Sequence, residues 1–164
     1  MQEVMSSERS FDEFYLAHNG RVVRSMFLMV GNLEEAKDIS QEAFARAFER
    51  WGVVGDLDRP EFWVYKVATN LSLSFLRRRR RASGRGDGLE PVMELALPEP
   101  ELRSAVLSLP SAQRGVVVLR FFLDTSVEET ARAMHKRPGT VRALTFQAMT
   151  RLREALQDPR HVES

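Results

Sequence analysis

Three groups of residues in this chain have types and spacing that could do chemistry. Asp38, Gln41, Glu42 and Glu49 recur at helical intervals, so a helix would gather them on one side. Ala36, Ile39, Ala43, Phe44, Ala47, Phe48 and Trp51 would fall on the other side as a core stripe. Such a compact acidic face is either simply solvated or a docking surface for a basic partner. The second group is the run of five arginines from Arg77 to Arg81. Cations at a helix C-terminus offset its dipole by about 0.3–1 kcal/mol each. Five in succession exceed that role and repel one another unless an anion lies nearby, and a phosphate backbone fits. The third group is Arg142, Phe146, Thr150 and Arg153, which would point outward from a helix beginning at Pro138. The inner face of that helix would be Val141, Leu144, Ala148, Leu152 and Ala155.

None of these groups suits catalysis. The three histidines, His18, His135 and His161, are scattered. There is no Gly-rich phosphate loop, zinc-ligand spacing or nucleophile elbow. Asp38 and Glu42 are paired carboxylates four residues apart, but they share an outward face that implies no pocket. The expectation is a binding protein and not an enzyme, with no catalytic residue, cofactor or metal.

The elements that must position these groups read as helices throughout, and the fold class is all-α. Phe11 to Val30 is a helix ended by Gly31. Asn32 is an N-cap, with Glu35 completing a capping box for the acidic helix. Trp51 to Leu57 holds two glycines and no period, and reads as a loop. Pro60 opens a helix running through Trp63, Val67, Leu71 and Leu76 to the arginines. From Ala82 to Pro98 the period fails in a Ser-Gly-Arg-Gly-Asp-Gly stretch with two prolines, which reads as a flexible linker. Met93 to Leu97 is apolar enough to dock. Pro100 to Leu109 and Gln113 to Phe122 are further helices. Ser126-Val-Glu-Glu129 is a capping box for a short helix to Met134. A tight turn, His135 to Pro138, then leads to the last helix, the pattern of a helix-turn-helix or of an ordinary helical hairpin.

The chain has 164 residues, enough for one large domain or two small ones, and a net charge of +1. The total hides a separation, with acids crowded into Glu34–Glu42 and cations into Arg77–Arg81. No apolar run approaches the ~20 residues of a membrane span. The polar stretch Met1–Ser10 is no signal peptide, and the absence of cysteine excludes disulfides.

Asp38-x-x-Gln41-Glu42-x-Phe44-x-Arg46-Ala47-Phe48 resembles the core-polymerase-binding helix of the sigma-70 family, in its extracytoplasmic-function branch. Leu109-Pro110, Gln113-Arg114, Leu119-Arg120-Phe121-Phe122, Ser126 to Ala131 and Gly139-Thr-Val-Arg142 resemble region 4 of the same branch. Phe62-Trp63-Val-Tyr65-Lys66-Val-Ala68-Thr-Asn70-Leu71, then Leu76-Arg77-Arg78, resembles its −10-reading segment. The sequence departs from the pattern at Ser74, where an acid or amide is usual, and at His135, where a small turn residue is usual. It departs again at Arg137, in place of a capping residue, and at Gln147, in place of a cation.

The resemblance implies a region 2-like domain over residues 1–81, a linker over 82–98, a region 4-like domain over 99–156 and a disordered tail over 157–164. It implies an alternative sigma factor acting in the cytoplasm, with core RNA polymerase and promoter DNA as partners and an anti-sigma factor as regulator. Asp38, Gln41, Glu42 and Glu49 would meet the β′ coiled coil of core polymerase, and the region 4-like domain the flap of β. Trp63, Lys66, Asn70, Arg77 and Arg78 would meet −10 DNA. Asn70 is the candidate for base readout, and Trp63 and Tyr65 are either core or base platforms. Arg137, Thr140, Arg142, Phe146, Thr150 and Arg153 would meet −35 DNA. The alternative is a stand-alone helix-turn-helix regulator, which would bind a palindrome as a dimer and would leave the acidic face without a role.

Overall fold

The structure, a computed structural model, describes residues 2–83 and 97–157, with side chains over 11–82 and from Leu97 to Gln157. The described residues form helices joined by short turns. Helix α1 spans Gln2–Val30 and stops at Gly31, whose φ of 74° places it in the left-handed region and whose N–H donates to the Phe27 carbonyl at 2.8 Å. Helix α2, Leu33–Glu49, is capped by Asn32, whose side-chain oxygen accepts from the Glu35 N–H at 2.9 Å. Only this half of the expected capping box forms, because the Glu35 carboxylate does not return to the Asn32 backbone.

The segment after α2 differs from its expectation. Trp51–Val54 is a helical turn, α3, and not loop. Trp51 is 8% exposed and pinned among aromatic rings, and the Arg50 carbonyl accepts from the Val53 and Val54 N–H groups at 2.9 and 2.8 Å. Tertiary burial of the indole holds a turn that its glycine content disfavours.

Helix α4 spans Pro60–Ser83. The expected linker therefore begins too early at Ala82, since a run of arginines followed by alanine continues a helix well. Its glycine-rich centre and Met93–Ala96 lie outside the described residues; Leu97 is half-buried against the core.

The second half is built of shorter pieces. Helix α5 is Pro100–Leu107 and α6 is Ser111–Val117. The expected helix to Phe122 widens instead into a π turn over Val118–Phe122, closed by a Leu123 N–H bond to the Val118 carbonyl at 3.0 Å. Helix α7, Val127–Met134, carries the complete capping box between Ser126 and Glu129. Helix α8 is Pro138–Gln157. The chain beyond it, most of the expected tail, lies outside the described residues.

The two helical domains bury one continuous apolar core. Phe14, Met26, Phe27, Phe44 and Tyr65 dominate the first, and Val116, Val118, Leu119, Val141 and Leu152 the second. Nothing local in the sequence fixes their relative placement. In the structure α1 packs on α5, α6 and the π turn, and α4 packs on α7. Among the described residues no helix is long and apolar enough to cross a membrane.

Candidate functional site

The acidic face forms as expected. Asp38, Gln41, Glu42 and Glu49 are exposed while Ile39, Ala43, Phe44 and Ala47 of the same helix are buried. The reason is packing: α2 lies against both α1 and α4, which leaves one side of it to solvent. Glu42 is partly engaged by Arg46 at 2.9 Å, an exposed pair worth about 0.3–0.5 kcal/mol.

Phe48 corrects the expected core stripe. It is 55% exposed, and its ring stands edge-on to Phe11 at 4.9 Å. An open groove of about 700 Å³ lies here between α1 and α2. Its floor is Phe11, Tyr15, Phe44 and Phe48, and its rim is Asp38, Gln41 and Glu42. The site is thus an apolar trough edged by carboxylates and an amide, suited to a basic surface that carries an apolar side chain. Helical periodicity misses the trough because Phe11 and Tyr15 come from another helix. The one sequence signal that could have found it is the excess of aromatics flanking the motif.

The floor is held by a cluster of rings. Phe14 meets Trp51 at 5.0 Å and Phe44 at 5.8 Å, Tyr15 meets Phe44 at 5.1 Å, and Phe11 meets Trp51 at 5.3 Å. Tilted and edge-on pairs of this kind add about 0.5–1.5 kcal/mol each beyond burial. They fix the acidic helix against α1 before any partner arrives.

On α4, Trp63, Lys66, Asn70 and Arg77 recur along one side of the helix. Trp63, Lys66 and Asn70 are half-buried, and Arg77 and Arg78 are exposed. Tyr65 is 1% exposed and belongs to the core, where burial pushes its phenol pKa up. Trp63 packs against the core edge. The Asn70 amide makes no hydrogen bond among the described residues, which leaves it available to a base edge. Arg77 donates to the Ser74 hydroxyl at 3.1 Å. The rest of the arginine run behaves differently. Arg79 donates to the Val30 carbonyl at the end of α1 and lies over the Phe75 ring. Arg80 donates to Ser111 of α6.

The helix-turn-helix geometry is made by backbone devices. Thr125 and Thr130 share a buried 2.7 Å hydroxyl bond, and the Thr130 hydroxyl also bonds the Ser126 carbonyl at 2.7 Å. His135 takes up the left-handed conformation, φ 56°, that the turn requires, in place of the usual small residue. α6 approaches α7 closely at Gly115, where a Cβ would come within 2.8 Å of the Met134 methyl.

On α8, Arg142, Phe146 and Arg153 are exposed as expected, with Phe146 at 73%. Arg137 and Thr140 are exposed at its start. Thr150 is half-buried and returns its hydroxyl to the Phe146 carbonyl at 3.0 Å. Arg142 reaches Glu128 of α7 at 3.7 Å. Gln147, at the position where a cation is usual, accepts from Gln113 at 3.4 Å. Arg151 is also exposed on α8, a further cation that neither the outward stripe nor the resemblance singles out.

Comparison with known proteins gives a consistent picture. The Sigma-70 region 2 model matches residues 14–82, and the Sigma-70, region 4 model matches residues 100–152. An RNA polymerase sigma-E factor from Streptomyces coelicolor is 31% identical, the alignment covering 93% of this chain and 89% of that one. The ECF RNA polymerase sigma factor SigW from Bacillus subtilis is 28% identical, covering 91% and 90%. Among solved structures, the Bartonella quintana sigma factor RpoE in complex with the anti-sigma factor NepR shares the fold. Its TM-score is 0.75 at 19% identity, covering 90% of this chain and 97% of that one. CnrH, solved with the cytosolic domain of CnrY, gives a TM-score of 0.65 at 21% identity, covering 91% and 88%.

Proposed function

The chain belongs to the extracytoplasmic-function branch of the sigma-70 family, and on that footing we propose a division of labour among its three faces. The trough on α2, rimmed by Asp38, Gln41 and Glu42 with Glu49 beside it, seats the protein on the β′ coiled coil of core RNA polymerase. The side of α4 carrying Trp63, Lys66, Asn70, Arg77 and Arg78 engages and opens the −10 element. The outward face of α8, with Arg137, Thr140, Arg142, Phe146, Thr150 and Arg153, enters the major groove at the −35 element. Residues 1–81 and 99–156 act as the two functional domains, with the second also meeting the flap of β. The site of action is the cytoplasm. Two structural neighbours were solved bound to NepR and to CnrY, and we extend control by an anti-sigma factor to this chain.

The observation that carries this reading is the α2 face. Its carboxylates are exposed on a helix whose other side buries Ala36, Ile39, Ala43, Phe44 and Ala47, and they border an apolar trough that nothing in the described residues fills. A merely solvated face needs no trough. The test is Asp38→Lys with Glu42→Lys, followed by co-elution with bacterial core polymerase. Loss of co-elution with unchanged helix content by circular dichroism is expected, and normal co-elution would overturn the anchor. For the −35 face, Arg142→Ala with Arg153→Ala should weaken promoter binding. The log–log salt slope should fall by about 0.9 for each phosphate that the variant no longer neutralises.

A further inference from the structure

Gln147 departs from the family pattern by being neutral, and a second glutamine holds it in place. It is exposed on α8, two turns after Thr140 and therefore on the same side of the helix. Its side-chain oxygen accepts from the side-chain N–H of Gln113 at 3.4 Å. Gln113 belongs to α6, which packs along α8, and is 7% exposed. An exposed glutamine on a helix is ordinarily free to turn its amide over, because the terminal torsion is broad and two-fold. Gln147 instead has its carbonyl turned back toward α6, which leaves its N–H2 group facing outward.

Gln113 gains little for stability from being polar. Its own carbonyl oxygen is buried with no partner among the described residues. Its bond to Gln147 is the only side-chain hydrogen bond it makes there. An unpaired buried polar group costs stability, and an apolar side chain of similar shape avoids that cost. The next residue, Arg114, fixes this part of α6 through the Met29 and Leu109 carbonyls at 2.6 and 2.9 Å. Gln113 is thus a fixed donor aimed at one exposed amide.

From this geometry we infer that Gln113 and Gln147 form a base-selecting pair, in which Gln113 is the positioning residue and holds Gln147 as a donor only toward DNA. This role rests on the assignment of α8 to the major groove at the −35 element. In that groove G, T and A each offer an acceptor, whereas C offers only its N4 donor. A donor-only side chain accepts G, T and A at the base it faces and rejects C. A glutamine using both ends would bond adenine twice, donating to N7 and accepting from N6. Gln113 occupies the acceptor end and suppresses that second bond, so adenine gains nothing over G or T. The pair is uncharged, so it adds selection without the salt dependence of a phosphate contact.

The test is holoenzyme, reconstituted from bacterial core polymerase and the full chain, selecting from a pool of random duplexes, with the bound fraction sequenced. Gln147→Ala identifies the position: one base pair of the upstream element should lose its preference. There the parent should disfavour C by roughly two- to ten-fold, the range of one net hydrogen bond. Gln113→Met keeps the length and removes the bond. It should raise A over G and T by a similar factor, with a melting temperature unchanged or higher; a merely structural residue would move the melting temperature and not the base. If this variant fails to fold by circular dichroism, Gln113→Ala removes the same bond without adding bulk. Gln147→Glu, at an exposed side chain, replaces the donor by an acceptor and should make C the preferred base. A parent that prefers C at this position, or A over both G and T, overturns the donor-only assignment. An unchanged profile in the Gln113 variant overturns the positioning. If Arg142→Ala with Arg153→Ala leaves the upstream element intact, it is the −35 assignment of α8 that fails. If that variant loses the element while Gln147→Ala changes nothing, only the glutamine pair fails.

Discussion

The acidic trough and the helix-turn-helix are both partner surfaces on short stretches of helix, yet they are held in opposite ways. The trough is braced by bulk. Phe14, Phe44 and Trp51 are buried against one another, and the rings of Phe11 and Tyr15 close over them. The helix-turn-helix is braced by backbone chemistry: a capping box, a pair of bonded threonines and one left-handed residue. A surface that must present fixed carboxylates gains from a stiff aromatic base. A motif whose two helices must meet at a set angle gains from bonds that fix the turn itself. The difference predicts unequal sensitivity to substitution.

The sharpest way to break the comparison is to hollow out the first surface. Phe44→Ala, at a side chain 2% exposed, should cost about 3–5 kcal/mol in denaturant unfolding. A loss below about 1 kcal/mol would mean the ring cluster does not brace the trough. The corresponding change in the second surface should be much milder. Ser126→Ala removes the cap that accepts the Glu129 N–H at 3.0 Å and should cost about 1 kcal/mol. A cost equal to that of Phe44→Ala would erase the distinction.

His135→Gly acts in the other direction. It relieves a non-glycine residue from φ 56°, so melting should move up by the equivalent of at most about 1 kcal/mol. Destabilisation would show that the histidine side chain contributes more than its backbone strain costs.

The smallest expected effect concerns acid. Burial would raise the Glu129 pKa, but the Ser126 and Arg59 hydrogen bonds overcome it and hold the carboxyl below its ordinary value. The sign follows: a depressed folded pKa stabilises at neutral pH. That contribution is lost as pH falls below the unfolded value of about 4.3 toward the depressed one. Melting temperature measured downward from neutral pH should therefore fall less steeply for Glu129→Gln than for the parent chain. Parallel curves would mean that the Ser126 and Arg59 hydrogen bonds do not hold the Glu129 carboxyl below its ordinary value.

Much of this molecule is legible in one dimension, because helix ends are written locally. Gly31, Asn32, Pro60, Ser126 and Pro138 each stop, cap or start a helix within a few residues of where the chain needs it. The exposed faces of α2 and α8 follow from period alone, since any helix lying on a core exposes one side. The carboxylates of Asp38 and Glu42 and the outward Arg142, Phe146 and Arg153 are readable for that reason.

Tertiary structure decided what depends on residues far apart in the chain. Phe48 has the period of a core residue, but in the fold it is 55% exposed beside Phe11 of α1, and so it edges a trough. The turn at Trp51–Val54 exists because an indole is buried there. Arg80 is one of five similar arginines in sequence, and only the fold sends it to Ser111. The packing of the two domains rests on pairs such as Arg21 with Asp124 and Arg59 with Glu129, too distant in the chain for any local pattern to join. Local sequence determines which segments coil and which side of each is apolar. Which side meets which neighbour is settled only when every helix competes at once for the same core.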